Sequence, residues 1–156
     1  AIELIANNLV SVYNGTGNKK EWENITMAST IGGMVINTAG VTLAHGMEHP
    51  ASGLKNIVHG QGLAALTPVV IDASYKGDEE KFGDIAEIFG GKSAADCADK
   101  IRELLKALDL ECKLSIAEED IPWMAENCMK VSAAGVANNP VVFTQEEIAE
   151  IYRKAL

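Results

Sequence analysis

No apolar run in this chain reaches the roughly 18 residues that a membrane span needs, and no basic stretch leads into an apolar one near residue 1. Neither a membrane anchor nor a secretory leader can be read from it. Cysteine is sparse. Cys97, Cys112 and Cys128 are odd in number and form no C-x-x-C pair, a pattern of reduced thiols in a cytoplasmic protein. Bases are outnumbered, 13 Lys and Arg against 22 Asp and Glu, for a formal net charge of -9. Nucleic acid and anionic membrane are therefore poor partners. Alternation of strands and helices is missing too, which excludes a Rossmann-type unit within these residues. Val141, Val142 and Phe143 form the one convincing β-like cluster, and it is short. No internal repeat and no low-complexity tract is found.

What is present is helix. The 156 residues suffice for one domain with a real core, and 47% hydrophobic with 22% charged residues is ordinary for a globular protein. "AIELIANNLVSVY" carries apolar residues at 2, 4, 5, 9, 10, 12 and 13, a helical spacing. It begins with no capping residue ahead of it. A chain divided inside a helix and a native terminus with a frayed first turn both fit. "NGTGN" is a turn, and a second helix is expected from about Lys19 to Asn37, with Gly32 and Gly33 set for close packing against a neighbour. A third helix carries His45 and His49, with Pro50 within it or near its end. The proline ring presses on the carbonyl four residues earlier, where Gly46 offers no side chain to resist a kink. Gly60 to Lys76 is apolar almost all round, as in a central core helix. Four further helical patterns follow, the last opened by a Thr144–Glu147 capping box. The expected class is all-α: a single domain over residues 1–156, built as a bundle of about seven to nine helices.

"AEIFGGKS", Ala86 to Ser93, fits a loose phosphate-loop pattern. Such a loop needs a buried strand before it, and "KFGDIAEIF" has helical periodicity instead; Glu87 would also set a negative charge against phosphate. Gly90-Gly91 read better as a helix end, and Ser93 as a cap with Asp96 at N3.

All three histidines, His45, His49 and His59, lie between residues 45 and 59. Of the net charge, -1 belongs to residues 1–60 and -8 to the rest, so the window is nearly neutral. His45 and His49 are spaced i, i+4 and share a helical face. Imidazole is the commonest metal ligand, and two such rings chelate one ion. His59 opens the next helix, so a turn can fold it back onto the same site. The zinc-protease pattern H-E-x-x-H is not met, because Glu48 sits beside the second histidine and is expected to point elsewhere.

"GVTLAHGMEHPASG" followed by "HGQGLAALTPVVI" resembles the signature of the iron-containing (group III) alcohol dehydrogenase family. Gly40, His45, His49 and His59 fit its spacing without a gap, and "NNPVVFTQEEIAEIYRKAL" is similar to the family's closing segment. The resemblance implies the all-helical, dehydroquinate synthase-like second domain of a two-domain enzyme. The first domain, which binds NAD or NADP, would then be missing, in keeping with the uncapped start. It implies a divalent metal, iron (Fe2+) or sometimes zinc (Zn2+), held by one Asp and three His. Two of these carry over to His45 and His59. The others belong to an upstream Asp-x-x-x-His element that this chain does not contain. By the same resemblance His49 is a catalytic residue beside nicotinamide and substrate, relaying the alcohol proton. The expected partner is a small alcohol or aldehyde, and a homo-oligomer is compatible with the family. Alone, the chain is expected to be a scaffold and not a catalyst. Two competing readings remain: a free-standing helical metal-binding or interaction module with His49 or Glu48 as a third ligand, and a glycerol-type polyol dehydrogenase of the same superfamily.

Overall fold

Nine α-helices and three short 3-10 turns make up the computed structural model, which describes residues 1–110 and 113–156. Cys112 lies outside the described residues. Helix α1 (Ile2–Tyr13) and α2 (Lys19–Ala39) form a hairpin, and α3 (Leu43–Lys55) and α4 (His59–Ser74) follow. Then come α5 (Glu79–Ile88), α6 (Cys97–Ala107), α7 (Ile121–Val131), α8 (Ala133–Ala137) and α9 (Gln145–Lys154). Among the described residues there is no strand, and Val141 to Phe143 are irregular. The expected all-α class and helix number hold. Helix α8 was not foreseen, because five residues of Ala, Gly and Val carry no periodicity.

Local chemistry sets the boundaries. Asn18 caps α2, its side-chain oxygen accepting from the backbone N–H of Lys20 and Glu21, while Glu21 reaches back to Asn18 N. Thr144 and Glu147 form the expected reciprocal pair at α9. Ala1 precedes α1 without a side-chain cap.

The main core joins α3, α4, α7 and α9. Helix α7 buries Ile121, Met124, Ala125 and Cys128; α9 brings Ile148, Ile151 and Tyr152, and Ala155 follows at its C-cap. Both follow i, i+3, i+4, i+7, one stripe of a 3.6-residue helix. Helix α4 is buried at nine of its sixteen positions, the expected central helix. A smaller cluster of Ile71, Ala86, Cys97 and Ala98 joins its far end to α5 and α6. Burial pushes the Cys128 thiol up to about 12, so it stays protonated and inert at neutral pH.

The α1–α2 hairpin is attached loosely. Trp22, Met27, Met34, Val35 and Ile36 of α2 are each more than half exposed. The expectation that Gly32 and Gly33 pack against a neighbour is not met. Among the described residues nothing lies within 4 Å of a Cβ placed at either, because no element covers that stretch of α2.

Two contacts from the end of the chain hold the histidine-bearing helices. The chain bends by 99° between α2 and α3, and Gly40 at φ +74° makes the bend. Asn138 donates to the carbonyls of Ala39 and Val41 across that corner, both at 3.3 Å. Asn139 donates to Ser74 Oγ (2.9 Å) at the end of α4. Helix α3 runs through Pro50 to Lys55. Gly46, four residues before the proline, has the further role of letting α3 approach Ser132 and Cys128, whose side-chain atoms would lie 3.1 and 3.3 Å from a Cβ there.

Tyr152 is fully buried, and its hydroxyl donates to the Met47 carbonyl in the middle of α3. Burial raises its pKa, so the phenol stays protonated and keeps donating. Tyr152→Phe removes this donor while preserving the ring. The expected cost is about 1–2 kcal/mol of unfolding free energy, checked by urea denaturation; an unchanged midpoint would show that the α9–α3 dock does not depend on the bond.

Candidate metal centre

The three histidines meet. Asn56 ends α3 in the left-handed conformation (φ +54°), which Asn tolerates better than most residues. Only residues 56–58 separate α3 from α4, so His59 folds back over the face that presents His45 and His49. Ring centres lie 5.4 Å apart for His45–His59, 6.0 Å for His49–His59 and 6.2 Å for His45–His49. Imidazoles bound to one divalent ion at about 2.0–2.1 Å hold their ring centres roughly 5–6 Å apart. Ring spacing is compatible with one ion on that measure, closest for His45–His59, but among the described residues the donor atoms gathered within 4.8 Å of one another are those of Glu48, His49 and His59 and not of His45. His49 and His59 are exposed and His45 is half-buried, so the site opens on one side.

Glu48 does not point elsewhere. It turns inward from α3, is completely buried, and places Oε2 2.5 Å from His59 Nδ1. The expectation failed because it treated the residue next to His49 as lying off the site, whereas His59 arrives from α4 over the buried side of α3. Ser52, one turn along α3, holds the other carboxylate oxygen, Glu48 Oε1. Its hydroxyl also lies 2.9 Å from the Ile57 carbonyl in the α3–α4 turn, and its single proton serves one acceptor at a time. Room for the carboxylate comes from Gly62: a Cβ there would meet Glu48 Cγ at 2.8 Å and Oε1 at 3.0 Å.

One donor atom each of Glu48, His49 and His59 falls within 4.8 Å of the others. That grouping fits one shared ion poorly. Glu48 Oε2 and His59 Nδ1 are 2.5 Å apart, a hydrogen-bond separation and closer than the roughly 3.3 Å between two ligands of a tetrahedral ion, so these two atoms do not share an ion. Both carboxylate oxygens are already engaged, so the geometry disfavours Glu48 as a ligand. A glycine inside a helix is destabilising on its own account, and Gly62, three residues after His59, was the signal that something packs closely there.

The phosphate-loop motif resolves as its residues suggested. Ala86 to Ser93 covers the end of α5, a turn through Gly90 and the cap of the next 3-10 turn. Asp96 Oδ2 accepts from the backbone N–H of Lys92 (2.8 Å) and Ser93 (3.0 Å), which occupies the amides a phosphate would use.

The whole chain, residues 1–156, matches the profile of the Fe-containing alcohol dehydrogenase family, C-terminal part. It is 35% identical to 1,3-propanediol dehydrogenase of Klebsiella pneumoniae and 30% identical to lactaldehyde reductase of Escherichia coli (strain K12), in each case over 99% of this chain and 42% of the relative. Among solved structures, 1,3-propanediol oxidoreductase superposes with a TM-score of 0.89 at 34% identity, over 99% of this chain and 43% of that one. An archaeal halo-thermophilic alcohol dehydrogenase from a Red Sea brine pool gives 0.90 at 31% identity, over 99% and 42%. The all-helical fold and these matches thus define a C-terminal domain of the Fe-containing alcohol dehydrogenase type. The chain belongs to the Fe-containing alcohol dehydrogenase family and spans about two fifths of the length of the relatives it matches.

His45 is expected to titrate below 6.5. Desolvation lowers its pKa most, the neighbouring His59 and His49 lower it further, and Glu48 opposes them. The folded state then binds fewer protons than the unfolded state as pH falls past 6.5. This part of the stability is complete above 6.5 and is lost as pH falls through the folded value. NMR titration of the three imidazoles in the metal-free chain checks it. A His45 midpoint at or above 6.5 contradicts the partial burial of His45 beside two other imidazoles.

Proposed function

We propose that this chain is the helical, metal-holding half of an NAD(P)-dependent alcohol dehydrogenase that interconverts a small alcohol and its aldehyde by hydride transfer. The observation that carries this reading is the convergence of His45, His49 and His59 on one open face, with His59 anchored from behind by Glu48. His45 and His59 are the two ligands of a divalent ion, iron by the family's name and zinc as the alternative. The remaining ligands, and most of the contacts to NAD or NADP, come from outside these residues. When bound, the ion supplies Lewis acidity toward an alcohol or carbonyl oxygen.

His49 is the proton carrier. It lies within the ring cluster but is more exposed than His45. One ring nitrogen of His49 takes the alcohol proton during oxidation and returns it during reduction. Helices α3 and α4 form one wall of the cleft, and their apolar, nearly neutral surroundings suit a small uncharged substrate. The names of the relatives, a 1,3-propanediol dehydrogenase and a lactaldehyde reductase, favour short polyols and hydroxyaldehydes. No described helix is long and apolar enough alone to cross a membrane. Cys97 and Cys128 are free and buried, which supports a cytoplasmic setting.

Three substitutions in the whole protein separate the roles. His45→Ala and His59→Ala are expected to lose metal and activity together. His49→Ala is expected to keep most of its metal while turnover falls by about 10²–10⁴-fold, the range of a general acid–base contribution. The deficit is partly relieved at alkaline pH, where solvent takes the proton. Metal content and the pH–rate profile of each variant decide the matter. A metal-free His49→Ala beside a metal-loaded His59→Ala reverses the assignment.

The 156-residue chain by itself is expected to show no turnover with NAD or NADP and to lose iron or zinc on dialysis against a chelator, since a catalytic site normally keeps three or more protein ligands. Stoichiometric metal surviving that dialysis would instead support a self-sufficient binding module.

A further inference from the structure

Glu48 is the only charged side chain among the buried residues of the described chain. An isolated buried carboxylate is costly unless hydrogen bonds hold it, so its partners indicate what it is for. Its two oxygens have separate partners. Ser52 holds Oε1 from the same helix, and His59 Nδ1 meets Oε2 from the next helix at 2.5 Å. Gly62 closes the arrangement, because only a residue without Cβ leaves the carboxylate its space.

From this geometry we infer that Glu48 is a positioning residue for the metal site: it holds His59 as the Nδ1–H tautomer, so that the Nε2 lone pair faces the ion. A carboxylate beside one ring nitrogen fixes which nitrogen carries the proton. It also makes the opposite nitrogen a better donor to metal, and outer partners of this kind contribute about 10–100-fold in metal affinity. Ser52 and Gly62 serve the same end, one by pinning the free oxygen and the other by leaving the space. His45 and His49 have no such carboxylate partner among the described residues, so the three rings are not equivalent. The inference rests on the reading of His59 as a ligand, but its first test does not.

That test is the tautomer of His59 in the metal-free chain, read by two-bond nitrogen–proton correlations of 15N-labelled imidazole in alkaline buffer. The wild-type chain is expected to show Nδ1–H at His59. Glu48→Met fills a similar volume with apolar atoms and offers no oxygen, so the ring should revert toward the Nε2–H form that free imidazole prefers. Glu48→Gln retains a carbonyl oxygen for Nδ1–H and an N–H for Ser52, so it should restore the wild-type tautomer. Gly62→Ala displaces the carboxylate without altering it, so it should weaken the Nδ1–H preference as well.

Zinc titration of the same variants gives the second readout. Affinity is expected to fall about 10–100-fold in Glu48→Met and to recover largely in Glu48→Gln. An Nδ1–H tautomer that persists in Glu48→Met overturns the inference, and so does equal loss of zinc affinity in the Met and Gln variants. Failure of the dehydrogenase reading would show up elsewhere, as zinc held equally well by the wild-type chain and by His45→Ala or His59→Ala. The tautomer measurement is blind to that result.

Discussion

The distance between α3 and α4 at the level of Gly62 governs the centre of this molecule. A hydrogen atom in place of a methyl group at Gly62 lets the Glu48 side chain lie flat between the helices. Once there, the carboxylate cannot remain unpaired, and the nearest donors are Ser52 on its own helix and His59 on the next. The α3–α4 pair is therefore joined at its buried side by a polar bond and elsewhere by Leu43, Met47, Ala51, Ala65, Leu66 and Val69. The apolar contacts set the axis separation, while the polar bond adds direction. Packing of apolar surface alone would leave His59 free to turn about its own side-chain bonds on an exposed helix start.

Much of this was legible in the sequence, and what was not has identifiable causes. Helical patterns marked eight of the nine helices among the described residues, by apolar spacing in several and in α4 by an apolar run that only a buried helix carries. The short α8 escaped because Ala133–Ala137 has no polar face to contrast with an apolar one. The histidine spacing put His45 and His49 on one face and allowed a turn to bring His59 back to it. The partner of His59 was hidden, because Glu48 and His59 meet through a helix crossing and not through a local repeat. The same limit explains Gly32 and Gly33. Paired glycines signal that close approach is permitted, and the signal does not carry the identity or presence of a neighbour.

Charge is arranged to suit the site. Acidic residues concentrate after residue 60, and many of those side chains are engaged locally: Asp72 and Asp99 with Arg102, Glu118 and Glu150 with Arg153, Asp120 with Lys55. These surface pairs, of which Lys55–Asp120 is partly buried, contribute little stability each. Around the rings, the described charge is the single carboxylate of Glu48, placed behind His59 and out of solvent.

The contacts that hold α3 in place span most of the chain. Asn138 reaches Ala39 across 99 residues, and Tyr152 reaches Met47 across 105. Loops of that size close slowly compared with helix formation. During synthesis the histidine segment therefore leaves the ribosome long before the residues that seat it. Until Asn138 and Tyr152 emerge, α3 has its contacts with α4 but lacks the two long-range bonds that seat it. Any ion that His45 and His59 hold, as proposed, would therefore find a joint site only after those two contacts have closed.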